Sequence, residues 1–237
     1  MQPLLVLWDV DYTLIAADGT GEQLYDRALG ELYGLRMPPM VRSMAGRTDS
    51  AIALEVLTLA GVPDPEREIP RLQSVLATYA SDLEEMIRAR GRVLPGAAEA
   101  LAALADARHA GLVIQSLLTG NIPAIASVKL GAFDLARHVD LTVGAYGDTS
   151  QIRSDLVAVA RQNAAERYGT HFAGRATVLV GDTPSDVEAA ALTGARAVAV
   201  ATGHFTVAEL LDAGADVALP DLSDTEKVVA AIVADRP

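Results

Sequence analysis

Short, continuously apolar segments recur along this chain of 237 residues, and helical patterns separate them. A strand that is covered on both faces has apolar side chains at nearly every position, so these segments predict buried strands. Strands that alternate with helices predict parallel pairing, with helices on both faces of the sheet. We therefore predict an α/β fold with a doubly wound, mostly parallel, Rossmann-like sheet. The predicted strands are residues 4–8, 112–118, 177–180, 197–200 and 217–219, and the predicted helices are residues 97–110, 122–130, 155–168, 185–193, 207–213 and 225–234.

Residues 16–92 depart from this alternation, because three helical patterns follow one another there with no strand between them. An all-helical block between the first and second core strands indicates an inserted cap domain. The predicted domains are thus a core of residues 1–15 and 93–237 and a helical cap of residues 16–92. The first linker, Asp18 to Thr20, is expected to act as a hinge. The cap patterns cover about residues 21–33, 48–60 and 66–89.

Charge and composition exclude several classes of protein. The formal net charge is -12, from 31 acidic and 19 basic residues, which argues against nucleic acid as a partner. The chain has no cysteine, so disulfides and thiol catalysis are excluded. The N-terminal segment carries two aspartates and no basic leader, and no apolar segment approaches the roughly 20 residues that span a bilayer. We expect a cytoplasmic protein without a membrane partner.

Asp9 and Asp11 directly follow the first predicted strand. Residues two apart in extended chain face the same way, so both carboxylates are expected beyond the carboxyl end of this strand, where open α/β sheets bind ligands. Two neighbouring carboxylates repel each other unless a cation lies between them or one is protonated. The pattern predicts a cation site, although two turn aspartates that cap a strand would give the same spacing.

Asp182 and Asp186 lie after another predicted strand, in the segment GDTPSD. Spaced four apart at the start of a helix, they can share one face. Magnesium prefers oxygen ligands and usually takes one or two carboxylates from a protein. We predict that Asp9 and Asp182 bind Mg2+ with the backbone carbonyl of Asp11 and waters. The alternative is a helix-capping box with solvated acids.

Thr119, Gly120 and Asn121 end the second core strand and precede a helix. A hydroxyl beside backbone N–H groups at a helix N-terminus predicts an anion site. A cation should complete it. Lys129 is two turns into that helix and is expected to point away from the strand ends, so Arg153 is the preferred cation. Arg161 and Arg175 are the alternatives.

Taken together, DxDxT, a hydroxyl, a basic residue and GDxxxD occur in this order, each near a strand or helix end. In this the sequence resembles the haloacid dehalogenase-like hydrolase superfamily, in particular the phosphoglycolate phosphatase and β-phosphoglucomutase-like group, whose helical cap follows the first strand. The resemblance spans nearly the whole chain. It departs at Arg153, since the superfamily usually has lysine there.

The resemblance implies a role for each motif residue. Asp9 would be the nucleophile that forms an aspartyl-phosphate, and Asp11 the general acid and base. Thr119 and Arg153 would bind the phosphoryl group. Asp182 would bind a magnesium ion, with Asp186 in support, either directly or through water. The cap loop with Gly46, Arg47 and Thr48 would close over the leaving group and read the substrate, although it is also compatible with an ordinary helix start.

The leading hypothesis is a Mg2+-dependent phosphomonoester hydrolase that acts on a small phosphorylated metabolite. A phosphomutase is the alternative, because mutases of the superfamily share all four motifs. A signalling receiver domain or another phosphoacceptor or binding protein is a third reading, but receivers are about half this length and lack an inserted cap. Neither the substrate nor the oligomeric state follows from the sequence.

Overall fold

The computed structural model describes residues 3–17, 19–39, 41–109 and 112–234, and the side chains of residues 107–109 are not among those described. The predicted strands are all present, with bounds that shift by one residue at most. Two further short strands lie beside the predicted cap boundaries. The strands are β1 (Leu4–Trp8), β2 (Ile15–Ala16), β3 (Arg92–Val93), β4 (Val113–Leu117), β5 (Thr177–Gly181), β6 (Arg196–Val200) and β7 (Val217–Leu219).

Five of the described strands form one parallel sheet in the order β4-β1-β5-β6-β7. The predicted α/β class, with a mostly parallel sheet, is confirmed. Strand β1 lies between β4 and β5, so the segments that follow these three strands meet at one edge of the sheet. The chain turns to opposite sides of β1 to form β4 and β5, and such a switch in strand order creates a crevice at the carboxyl ends.

Helices cover both faces of the sheet. The side chains of β1 alternate between two apolar clusters, with Leu4, Val6 and Trp8 in one and Leu5 and Leu7 in the other. This period of two puts successive side chains on opposite faces, which explains why the whole strand is apolar. The helices are α1 (Thr20–Tyr33), α2 (Asp49–Leu59), α3 (Pro65–Thr78), α4 (Ala80–Arg90), α5 (Ala97–His109), α6 (Pro123–Gly131), α7 (Arg153–Tyr168), α8 (Pro184–Thr193), α9 (Val207–Asp212) and α10 (Thr225–Val233).

Helices α5, α6 and α10 pack on one face of the sheet, and α7, α8 and α9 pack on the other. The predicted helices of the core agree with these bounds to within two residues. Ala110, the last residue of the predicted helix 97–110, lies outside the described residues. None of the helices in the described part of the chain has the length and hydropathy of a membrane span.

The inserted block is helical, as predicted, but its third pattern is two helices and not one. Helix α3 ends at Thr78, and α4 begins at Ala80 after the backbone of Tyr79 leaves helical geometry (φ -87°, ψ 2°). The break has a packing reason: α3 packs on α1 and α2 within the cap, whereas α4 packs mainly on α6 of the core and only slightly on α1. A single straight helix would not reach both partners.

Strands β2 and β3 pair antiparallel where the chain enters and leaves the cap, with Ile15 opposite Val93 and Ala16 opposite Arg92. The sequence pattern did not reveal this ribbon, because two-residue strands are too short to show periodicity. It joins the two linkers at the predicted domain boundaries, which remain a prediction. Of the predicted hinge residues, Asp18 lies outside the described residues.

Candidate active site

The predicted site residues meet at the centre of the sheet's carboxyl edge. Asp9 follows β1, Thr119 follows β4 and Asp182 follows β5, and these strands are neighbours in the sheet. All three residues are buried. The strand order alone explains this convergence, since adjacent parallel strands bring their carboxyl ends together.

Arg153 lies between two of the acids. Its Nη2 is 2.9 Å from Asp9 Oδ1 and 2.6 Å from Asp186 Oδ1, and its Nε donates to the same Asp186 oxygen at 2.9 Å. Arg153 is the first residue of α7 and is only 8% exposed. The structure therefore brings the preferred cation to Asp9. The two alternatives lie elsewhere, since Arg161 binds Thr177 and Arg175 binds Asp216.

Asp186 also closes a capping box at the start of α8. Its Oδ2 accepts hydrogen bonds from the backbone N–H of Thr183 at 3.1 Å and from the Thr183 hydroxyl at 2.7 Å. The capping box that the sequence offered as the alternative to a magnesium site is present, although Asp186 is buried and not solvated. Both carboxylate oxygens of Asp186 thus bind protein groups. This fits a residue that supports a metal site better than one that binds the metal directly. The role of Asp186 at a magnesium site stays a prediction.

Asp9, Asp182 and Asp186 form a buried acidic cluster in which each residue offers a carboxylate oxygen within 4.8 Å of the others. Burial, opposed by Arg153 and reinforced by Asp186 and Asp11, raises the pKa of Asp9 to about 7. Burial and repulsion from Asp9 and Asp186 raise the pKa of Asp182 to about 9. The cluster thus contains three carboxyl groups and only one cation, the guanidinium of Arg153, so it has less positive than potential negative charge.

The donor set of this cluster fits a hard divalent cation. All of its ligand atoms are carboxylate oxygens, the type that Mg2+ prefers. Of the two Asp182 oxygens, Oδ1 has a long contact of 3.4 Å from the Thr13 hydroxyl. A cation would neutralise the repulsion that raises these pKa values. Asp9 and Asp182 are the residues that would hold it.

Asp11 does not point toward this cluster. Both of its carboxylate oxygens bind Lys129 Nζ, at 2.7 and 2.6 Å. The prediction that Lys129 points away from the strand ends is wrong. A helical Cα–Cβ bond tilts toward the helix N-terminus, so the long side chain reaches back along α6 to the loop that follows β1. Lys129 lies on the buried face of α6 with Ile125 and Ala126, and a lysine in such an apolar stripe was the signal that could have revealed it.

The segment after β4 binds the pair formed by Asp11 and Lys129. Asn121 Nδ2 donates to Asp11 Oδ2 at 2.7 Å and to the Thr119 hydroxyl at 2.9 Å, and its carbonyl oxygen accepts from Lys129 at 2.8 Å. The backbone N–H of Asn121 also donates to Thr119 Oγ1 at 3.3 Å. The three predicted phosphate-binding residues thus lie beside Asp9 and Asp11, and their role stays a prediction.

The cap loop approaches the core closely at Gly46. A Cβ atom on this residue, whose φ is +69°, would lie 2.7 Å from Thr183 Oγ1. Thr48 is the N-cap of α2, where its hydroxyl accepts from the backbone N–H of Ala51 at 3.3 Å. The guanidinium of Arg47 binds Glu55 Oε2 at 2.5 Å and the carbonyl of Ala51. The predicted specificity role of these loop residues is not tested by these contacts.

Asp49, which the sequence analysis did not single out, joins the cap to the core. Its backbone N–H donates to the Gly120 carbonyl at 2.7 Å. Its buried carboxylate accepts from the backbone N–H of Ile122 at 2.8 Å and from the Tyr25 hydroxyl at 3.0 Å. Burial raises the pKa of Asp49 to about 6. Residue spacing could not have shown this contact, because its partners are distant in sequence.

A cavity of about 490 Å³ lies between the cap and the core. It is lined by Asp9, Asp11, Thr119, Lys129 and Arg153 on one side, and by residues of α1, α2, α3 and the cap loop on the other. Its volume is in the range of small-molecule sites. The acids, the cations and the hydroxyl therefore face one cavity, which suits a small anionic ligand.

Comparison of the sequence with protein families matches residues 6–191 to the family described as haloacid dehalogenase-like hydrolase. A search of curated proteins found no match.

Solved structures share the whole fold at low sequence identity. A hydrolase from Pseudomonas syringae is 21% identical, with a TM-score of 0.65, over 96% of this chain and 98% of that one. A structure from Haemophilus somnus 129pt, named as a predicted phosphoglycolate phosphatase, is 18% identical with a TM-score of 0.66, over 97% and 99%. One from Bacteroides vulgatus, named as a proposed β-phosphoglucomutase, is 17% identical with a TM-score of 0.65, over 98% and 89%.

The family match covers both groups of acidic residues, and the structural matches cover the core together with the inserted helices. The resemblance found in the motifs is thereby confirmed. The chain belongs to the haloacid dehalogenase-like hydrolase family.

Proposed function

We propose that this protein is a Mg2+-dependent phosphatase that hydrolyses small phosphomonoesters through a phosphorylated Asp9. The observation that carries the proposal is the placement of Asp9 in a buried cluster that joins acids with a cation. Arg153 contacts both Asp9 and Asp186, and Asp9, Asp182 and Asp186 together offer oxygen ligands for a metal ion. A carboxylate so placed can approach a phosphoryl group whose charge the surroundings neutralise.

Each residue of the site has a part in the proposed reaction. A carboxylate oxygen of Asp9 forms a bond to phosphorus while the bond from phosphorus to the ester oxygen breaks. Asp11 donates a proton to the departing alcohol, and then takes one from the water that cleaves the aspartyl-phosphate. The Thr119 hydroxyl, the N–H groups of Gly120 and Asn121, and Arg153 bind the phosphoryl oxygens.

Magnesium, held by Asp9, Asp182 and the Asp11 backbone carbonyl with Asp186 in support, supplies positive charge to the phosphoryl oxygens when it is bound. The cap excludes water while the alcohol departs. Gly46 lets its loop approach Thr183, Thr48 starts α2, and Arg47 lies beside the leaving group.

The proposed partner is a small phosphorylated metabolite, without nucleic acid or membrane, in a cytoplasmic setting. A phosphomutase remains the second candidate because it would use the same residues. A mutase returns the phosphoryl group to the substrate, so it would depend on a bisphosphate and release little phosphate.

The test is phosphate release from p-nitrophenyl phosphate, with and without Mg2+, by the wild type and by Asp9→Asn. We expect release that depends on Mg2+ and that Asp9→Asn abolishes. Asp212→Asn, at an exposed position at the end of α9, is the matched control and should retain wild-type activity. Absence of release by the wild type, or full activity of Asp9→Asn, would contradict the proposal.

A further inference from the structure

The cavity has two chemically different halves. The core half contains the acids, Arg153, Lys129 and Thr119. The cap half includes six large apolar side chains from α1, α2, α3 and the loop between α1 and α2, beside polar and charged ones. Those side chains are Leu24, Met37, Val41, Met44, Ile52 and Leu76.

The two arginines and Asp49 of the cap half are already bound within the protein, whereas Glu22 is an exposed carboxylate of the cavity wall. Arg42 and Arg47 share the two carboxylate oxygens of Glu55, at 2.9 and 2.5 Å, and the side chain of Arg42 is 78% exposed. The carboxylate of Asp49 is bound by Tyr25 and Ile122. Among the described residues, the inner part of the cap half therefore offers no cation that is free to bind a carboxylate or a second phosphate.

An anionic group of a ligand in this half would also lie close to a negative charge. Asp49 lines the cavity and is buried. A second anionic group on the substrate would meet this carboxylate and apolar side chains, and burying an anion without a partner is costly. Burying an alkyl or aryl group against the same side chains is favourable.

We propose that the leaving group of the substrate is an uncharged alcohol with an apolar alkyl or aryl portion, which binds the cap half of the cavity. This inference rests on the proposed phosphatase function and names its substrate class. The ester's phosphoryl group binds in the core half, and its carbon chain lies between the apolar side chains of the cap. Leaving groups that carry a carboxylate, a second phosphate or many hydroxyls are disfavoured.

The test is the specificity constant kcat/KM of the wild type for straight-chain alkyl phosphates from ethyl to hexyl phosphate. The alcohols of this series differ in chain length but hardly in acidity, so the chemical step is held constant. Each methylene that enters an apolar site should raise kcat/KM roughly fourfold, or roughly 16-fold from ethyl to butyl phosphate. Glycerol 3-phosphate and 2-phosphoglycolate serve as hydroxylated and carboxylated comparisons, and both should fall below butyl phosphate.

A pair of variants assigns the preference to the cap half. Met44→Gln places an amide at a half-buried position of the cavity wall, and it should lower the butyl-to-ethyl ratio of kcat/KM by at least about threefold. Leu59→Gln makes the same kind of change on α2, at a position that is 45% exposed and outside the cavity wall. It should leave the ratio unchanged.

The possible outcomes separate this inference from the proposed function. A rise with chain length that Met44→Gln reduces and Leu59→Gln does not would support it. Release of phosphate from p-nitrophenyl phosphate, with no rise along the series or with 2-phosphoglycolate as the better substrate, would overturn this inference alone. No release from any ester would overturn the phosphatase function and this inference with it.

Discussion

Gly120 is the residue at which the contact between cap and core is most easily broken. A Cβ atom there would lie 1.9 Å from the backbone oxygen of Arg47 in the cap loop. Contacts shorter than 3.0 Å are essentially never seen for Cβ atoms, and both groups involved belong to the backbone. In Gly120→Ala the cap loop must therefore move away by about 1 Å or more.

That displacement would break the hydrogen bonds that hold the cap closed. They are the bonds from Asp49 N–H to Gly120, from Ser50 N–H to Gly147 at 2.8 Å, and from Ile122 N–H to the Asp49 carboxylate. With about 1 kcal/mol for each neutral bond and about 2 kcal/mol for the charged one, closure loses about 4 kcal/mol. If catalysis requires the closed cap, kcat/KM for p-nitrophenyl phosphate should fall by about 10²- to 10³-fold.

Hydrogen exchange tests the same reasoning without reference to activity. The amides of Asp49 and Ser50 should lose protection in Gly120→Ala, because their acceptors lie across the opened contact. Gly131→Ala is the matched control, since a Cβ atom at Gly131 meets nothing within 4 Å, and it should behave as the wild type.

A second pair of glycine substitutions tests the same contact from the cap. Gly46→Ala should reproduce the loss of activity, because its Cβ would meet Thr183, and Gly34→Ala has a similar positive φ (+65°) without a clash. The reasoning is refuted if Gly120→Ala stays folded and keeps kcat/KM within about threefold of the wild type, since the observed packing would then not be the catalytic one.

Three further substitutions test other contacts. Arg153→Met should lower the free energy of unfolding by about 3 to 5 kcal/mol with EDTA present, because its two buried carboxylate partners lose their cation; urea denaturation measures this, and a loss below about 1 kcal/mol would contradict it. Lys129→Met should lower kcat by about 10- to 100-fold with little change in KM, since Asp11 loses two charged contacts that orient it; the exposed Lys227→Met should leave kcat unchanged, and equal effects would refute a specific role. Burial raises the pKa of Asp49 to about 6 from an ordinary 3.8, so between these values the folded state binds a proton that the unfolded state has lost. The folded state should therefore lose up to about 3 kcal/mol of stability as the pH rises from 4 to 6. Asp49→Asn should lack this loss in unfolding measurements across that range, and identical pH profiles would contradict the assignment.

Local patterns in the sequence determined the sheet and the position of its acids. Each core strand is apolar along its length because both faces are covered, and Asp9, Thr119 and Asp182 follow such strands directly. Once the strands are parallel and adjacent, no further information is needed to bring these residues together. The sequence also predicted Arg153 as the cation of the site from its place at the start of a helix. The start of this helix, α7, lies at the same edge of the sheet.

Packing between distant segments decided what the patterns could not. The break at Tyr79 depends on the different partners of α3 and α4, and a helical period is the same on either side of it. The contact of Lys129 with Asp11 depends on the reach of a long side chain back along α6, which residue spacing does not record. The contacts of Asp49 with Ile122 and Tyr25 exist only when the cap lies on the core. The sequence thus determined which groups lie at the strand ends, and the tertiary structure decided how the inserted helices close over them, because that closure joins residues with no local relation in the chain.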